Sequence, residues 1–285
     1  MGFLIHVTAW ERVSFWRRSF AAIGRVAGLI ALLTLLYELL GPPITIFFLA
    51  RWEARKVPAL NVTPQPLQDY SVSKAPGTAL SYFGYRFEVP WSATFKTRGL
   101  PKANAPDKSG TIELQFESGQ TVLFIAPSDQ SGLLTELVDD RSLHWENLRG
   151  AFGDLTNRSA YDQYSALLNV TPSTIRAFGP RQEAARDMML LTIKAIAPPG
   201  NLATGAFSFQ LPGKRGFQIG DPQKTASVSL EILDINGRHV EILCSAARGA
   251  RLTQPELNRI LATLQTVPGA SGTGKLSAEV NHASR

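Results

Sequence analysis

The chain has 285 residues, 44% of them hydrophobic and 18% charged, with a formal charge of +6; this balance excludes wholesale disorder and allows one or two cores. The charge sits at the ends, net +3 over residues 1–25, +1 over 26–56 and +1 over 269–285, which leaves +1 for residues 57–268. A central region so close to neutral has no electrostatic footprint for nucleic acid, and no nucleic-acid partner is expected. Cys244 is the single cysteine, so neither an intrachain disulfide nor a cysteine-based metal cage can form.

The first element in chain order is apolar. Ser19 to Leu40 supplies 22 residues whose only charges are Arg25 and Glu38. As a helix it is about 33 Å long, the thickness of a hydrocarbon core. Arg25 lies about 9 Å from its start and can snorkel back, while Glu38 reaches the opposite interface. A competing frame over residues 26–50 places Glu38 at mid-bilayer, at a cost of about 3 kcal/mol, and buries Pro42-Pro43 inside the span. The expected transmembrane helix is therefore 19–40, stopped by Gly41-Pro42-Pro43, with residues 1–18 on the cytoplasmic side.

Its flanks are Arg17, Arg18 and Arg25 on one side and Glu38, Arg51 and Trp52 on the other, the charged and aromatic residues that anchor a span at its interfaces. Counting Arg12 as well, the basic majority over Arg51, Arg55 and Lys56 places the N-terminus inside and the rest of the chain outside the cytoplasm. Arg17-Arg18-Ser19-Phe20 also resembles the core of a twin-arginine export signal, but a positive-inside flank accounts for the pair more simply. No small-x-small site follows Leu40 closely, which favours an anchor over a cleaved signal peptide.

Residues 41–78 read as an interfacial segment followed by a Pro-rich spacer, since Pro58, Pro64, Pro66 and Pro76 occur there without a hydrophobic period. Residues 79–268 form one α+β domain, and the small, polar stretch 269–285 is expected to be a disordered tail. Within the domain, 79–90, 111–118 and 121–127 read as strands, the last two joined at Gly119. Helices are expected at about 131–152, 160–169 and 181–197, the last stopped by Pro198-Pro199. Strands return at 205–212 and 216–220.

Residues 226–246 form a hairpin whose register can be deduced. Val228, Leu230 and Ile232 share one face, and Val240, Ile242 and Cys244 share one on the return strand. A two-residue turn at Asn236-Gly237 would set Ile232 against Glu241, so faces match only with a three-residue loop, 235–237, that pairs Ile232 with Val240. Cys244 then becomes a core residue rather than a reactive thiol. The closing helix, about 254–265, has a capping box at Thr253 and Glu256 and an apolar stripe of Leu257, Ile260, Leu261 and Leu264, which should pack on the hairpin's sheet.

Candidate chemistry is sparse. Gly269 to Lys275 fits G-x-x-x-x-G-K, but Leu276 stands where the hydroxyl belongs and no strand precedes it closely. Asp139, Asp140, His144 and Glu146 could be imagined as a metal cluster, yet acidic residues before a helix are ordinarily caps. His6 precedes the membrane run, His282 lies in the tail, and His239 shares the hairpin's polar face with Glu241. No G-x-S-x-G elbow occurs. Met188 and Met189 lie with Ala185, Thr192 and Ile196 on the expected buried side of their helix, and Trp91 suits either the core or an exposed contact. No catalytic, metal or cofactor-binding residue, and no cofactor, is assigned.

The order of "FGYRFEVPW", two hairpins, a long helix, "ASVSLEILDINGRHVEILCSA" and "QPELNRILATLQ" resembles the PsbP-like α/β/α sandwich family over roughly residues 79–266. That resemblance implies an antiparallel sheet between helices in a small binding or assembly module without catalysis. The fold class expected is α+β, an N-terminal transmembrane helix followed by a single domain with a mainly antiparallel sheet packed by helices. The function expected is a membrane-anchored extracytoplasmic interaction or assembly module, with the bilayer and an envelope protein as partners. The alternatives are a membrane-tethered, hydrolase-like enzyme with a site assembled in space, marked by a pocket with His144 or His239 beside a carboxylate, and a cytoplasm-facing regulatory module.

Overall fold

The computed structural model describes residues 41, 43–52, 54–91, 95–98, 110–126, 152–196, 201–235 and 238–267. The expected span 19–40 with Arg17, Arg18, Arg25 and Glu38, the cluster at 139–146 and the tail 269–285 lie outside the described residues, as does the expected helix at 131–152 apart from its last residue. Among the described residues no helix is long and apolar enough to cross a membrane.

The domain is α+β. Its strands are β1 (Gln65–Pro66), β2 (Thr78–Tyr82), β3 (Tyr85–Val89), β4 (Phe95–Arg98), β5 (Gly110–Phe116), β6 (Gln120–Ala126), β7 (Ala206–Leu211), β8 (Lys214–Ile219), β9 (Ser227–Ile235), β10 (Arg238–Ala246) and β11 (Gln265–Thr266). The helices are α1 (Ala160–Asn169), α2 (Arg181–Ile196) and α3 (Gln254–Thr263), and residues 43–52 are also helical. The main sheet runs β1-β7-β8-β9-β10-β6-β5-β4, and a small sheet runs β11-β3-β2. Every pairing is antiparallel except β1 with β7.

Each face of the main sheet has its own core. On the first, Val228, Leu230 and Ile232 of β9 and Val240, Ile242 and Cys244 of β10 pack with Phe87 of β3 and with Leu257, Ile260 and Leu261 of α3. On the second, Phe217 and Ile219 of β8 and Leu233 of β9 pack under α1 and α2 through Tyr164, Leu167, Leu168, Leu190 and Leu191. A sheet apolar on both faces needs cover on both. Here helices cover one face, and α3 with the small sheet covers the other.

The β9–β10 register is the deduced one, with Ile232 opposite Val240, Leu230 opposite Ile242 and Val228 opposite Cys244. The extra residue, however, is not in the loop. Arg238 pairs directly with Ile235, and the register shifts between Arg238 and Val240 and again between Arg215 and Gly216 of β8. Both shifts fall at one place in β9, where Leu233 is a bulge shared by its two neighbours. The bulge turns Ile235 back to the first core. Gly216 is required beside it, because a Cβ there would run into the Glu231 carbonyl oxygen.

Residues 79–90 are not one strand but the β2–β3 hairpin, turned at Phe83 (φ 51°) and Gly84 (φ 79°). Two consecutive positive φ values make a tight hairpin turn, usually reserved for Asn and Gly. Phe83 holds its place through its ring, stacked on Phe124 with centroids 6.2 Å apart.

The Pro-rich segment opens with a 3-10 turn at Pro58–Asn61 and then runs extended but docked. Leu67 is in the first core and its N–H bonds the Ser208 carbonyl at 2.8 Å. Farther along, Asn258 of α3 donates from Nδ2 to the carbonyls of Asp69 and Ser71, both at 2.8 Å. Arg259 donates to the carbonyls of Ser73 and Ala75 while holding Glu88 Oε2 at 2.9 Å.

On α2, Ala184, Leu190, Leu191, Ile193 and Lys194 are buried among the described side chains, while Thr192 is exposed and Met188 and Met189 pack partly buried against the second core. The expected stripe through Thr192 is thus out of phase. Lys194 lies on the buried side, its ammonium turned inward to the carbonyls of Val62, Leu168 and Val170, each at 2.7 Å. Three donors meet three acceptors, so this buried charge ties the C-terminus of α1 to the start of the docked segment.

Candidate functional site

The alternation that sends Val228, Leu230 and Ile232 to the first core sends Ser229 and Glu231 to the opposite face, together with His239 and Glu241 of β10. Glu231 and Glu241 are direct cross-strand partners. The Glu231 side chain is 3% exposed and that of His239 16%. Ser229 Oγ donates to Glu231 Oε1 at 2.8 Å, and His239 Nε2 lies 3.2 Å from Glu231 Oε2. From α1, Tyr164 closes over the pair, buried, its hydroxyl without a hydrogen-bond partner among the described residues.

Directly opposed like charges are unfavourable, and the titration of the cluster reflects it. The Glu241 carboxyl is pushed up to about 8, first by burial and then by the charge of Glu231; His239 and a hydrogen bond with Ser229 act in the other direction. A protonated Glu241 removes the repulsion, and the Ser229 hydroxyl donates to Glu231. Burial, and then the charges of Glu231 and Glu241, raise the Tyr164 phenol as well, which keeps it neutral.

The order of bonds decides what this set can do. In a hydrolytic triad the imidazole stands between hydroxyl and acid and takes the hydroxyl proton. Here Glu231 stands between Ser229 and His239. The serine proton is committed to a carboxylate, and the arrangement stores and shares a proton rather than preparing a nucleophile. Among the described residues no group of three or more His, Cys, Asp or Glu side chains could hold a metal ion.

Lys214 is structural in the same sense as Lys194. Its ammonium, nearly buried, caps the end of α3 through the carbonyls of Leu261, Ala262 and Leu264. Burial lowers both lysines to about 8, but each is saturated by carbonyl oxygens.

Two of the membrane-flank residues named from sequence, Arg51 and Trp52, lie on the helical segment 43–52. Pro43 and Ala50 are buried there, and Ile46 and Phe47 pack on the second core. Phe48, Leu49 and Trp52 face outward, 65%, 42% and 52% exposed. The Arg51 guanidinium sits 3.5 Å from the Phe47 ring centroid and the Lys56 ammonium 3.0 Å from that of Trp52.

Comparison with known protein families, characterised proteins and solved structures finds no match.

Sequence reasoning placed His239 and Glu241 on one polar face, and the structure agrees. It passed over Glu231 and Ser229, although the deduced register already sets Glu231 opposite Glu241. Tyr164 carried no signal, because its role depends on α1 crossing that face. Trp91 takes the core role, buried with its Nε1–H on Glu256 Oε1 at 3.1 Å.

Proposed function

We propose that the protein is a single-pass membrane-anchored module, with the span at 19–40 and the α+β domain outside the cytoplasm, working by interaction or assembly rather than catalysis. The observation that carries this reading is the helical segment 43–52. Pro43 and Ala50 belong to the domain's buried interior, so the apolar run 19–40 ends only a few residues before the folded domain begins. This supports a span ending near Leu40, since Ile46, Phe47 and Ala50 are engaged with the second core and the segment is not free to serve as the second half of a bilayer helix. The resemblance in element order to the PsbP-like sandwich also favours binding or assembly, and an envelope protein is the partner to seek.

The test combines alkaline carbonate extraction with protease accessibility of residues 79–268 from each side of the membrane. Retention in the pellet with digestion from the outer side is the expected result. Digestion only in inverted vesicles would place the domain in the cytoplasm and make it a regulatory module instead.

A membrane-tethered hydrolase is the second reading, favoured by His239 beside the buried Glu231. The bond order Ser229–Glu231–His239 weighs against it. Turnover of ester or peptide substrates that vanishes in Ser229→Ala and Glu231→Gln would establish it.

A further inference from the structure

The outward face of segment 43–52 has a chemistry of its own, and its interpretation rests on the membrane-anchored reading above. We propose that Phe48, Leu49 and Trp52 lie in the headgroup region of an anionic bilayer, so that the domain rests on the membrane surface instead of hanging from a free tether.

Three observations converge. First, the segment is apolar on two sides. Ile46, Phe47 and Ala50 face the second core, while Phe48, Leu49 and Trp52 are the exposed large side chains opposite, with Phe48 and Trp52 four residues apart and so on one face. A helix apolar on two sides needs two apolar neighbours, and the core is only one of them.

Second, reach leaves little choice of neighbour. From Leu40 to Pro43 is at most about 11 Å of chain, and from Pro43 to Trp52 about 14 Å of helix. The headgroup zone is roughly 6 Å deep on each side of the hydrocarbon. An upright helix would carry Phe48 and Trp52 about 12 and 18 Å past Leu40, beyond that zone, whereas one lying near the membrane plane keeps all three apolar residues within it.

Third, the charge is right. Residues 51–56 carry Arg51, Arg55 and Lys56 against Glu53, net +2, and Arg55 and Lys56 are exposed. A Trp beside basic side chains is the composition of a bilayer interface, where the ring takes the boundary and the cations reach anionic headgroups.

The experiment uses the full chain reconstituted in vesicles of phosphatidylcholine, with and without phosphatidylglycerol, some carrying bromine on the acyl chains as a contact quencher. Trp52 is read as the difference between wild type and Trp52→Phe. The expected signal is a blue-shifted component, lost on bromination, with deeper quenching when phosphatidylglycerol is present. In Phe48→Ser with Leu49→Ser, the Trp52 emission shifts to the red and escapes the quencher while the chain still resists carbonate extraction. An unquenched, solvent-like Trp52 in a chain that resists extraction overturns the inference and leaves the anchored reading standing. A blue-shifted but unquenched Trp52 overturns it in favour of a second copy or another protein on this face. A chain released by carbonate overturns the anchored reading, and the inference falls with it.

Discussion

Glu231 on β9 and Glu241 on β10 stand directly opposite each other on the helix-covered face of the main sheet, with Ser229 bonded to Glu231 and His239 at the outer edge of the pair. Burial and the facing charge of Glu231 raise the Glu241 carboxyl and so favour its protonated form. That makes the fold's stability a function of pH in a direction opposite to the usual carboxylate case.

Glu241 titrates at about 8 in the fold against an ordinary value of 4.5. Between those values the folded chain binds more protons than the unfolded chain, so stability is full below 4.5 and falls as pH rises through 8. Glu241→Gln is nearly isosteric and removes the ionisation. Thermal melts from pH 5 to pH 9 should therefore show a falling Tm in wild type and a flatter profile in the variant, with the variant the more stable of the two at pH 9. Parallel profiles would mean that Glu241 does not hold the proton.

Lys194 fixes the junction of α1, α2 and the docked segment through three carbonyls. Lys194→Met keeps most of the side-chain volume but orphans three carbonyl acceptors, two of them buried and one partly so. The expected cost is roughly 3 kcal/mol, read as a lower urea midpoint with an unchanged slope. A variant within experimental error of wild type would show that water replaces the ammonium without loss.

Cys244 lies in the first core opposite Val228, and burial pushes its thiol up to about 12. A thiolate is the reactive form, so the native protein should not react with an aromatic disulfide reagent over hours, and labelling should follow global unfolding in urea. Rapid labelling of the folded protein would contradict the register.

Much of the fold was legible because it rests on local rules. Face matching alone sets Ile232 against Val240, and the Thr253–Glu256 box marks the start of α3. What escaped depends on contacts between distant elements. Lys194 carried no signal, because nothing local reveals the carbonyls of Val62, Leu168 and Val170. Residues 69–75 have no hydrophobic period because α3 holds them by their backbone carbonyls, through Asn258 and Arg259. The carboxylate pair was implicit in the hairpin register, but its burial was not, since that depends on α1 crossing the polar face.

Glu256 joins a local rule to a distant contact. Its Oε2 accepts from the Thr253 N–H at 2.8 Å and from Thr253 Oγ1 at 2.9 Å, and its Oε1 accepts from Trp91 Nε1 at 3.1 Å. One carboxylate thus caps α3 and secures the indole that follows β3. Glu256→Ala removes the cap and strands a buried N–H, for a combined cost of about 2 to 3 kcal/mol. Glu256→Gln keeps a single acceptor oxygen, which can serve the cap or the indole but not both, and should cost about 1 kcal/mol. Urea denaturation ranks the two variants, and the cycle with Trp91→Phe separates the contributions. If the indole bond matters, the Glu256→Ala penalty shrinks when it is measured in the Trp91→Phe background. If it does not, the two penalties add, and Glu256 serves α3 alone.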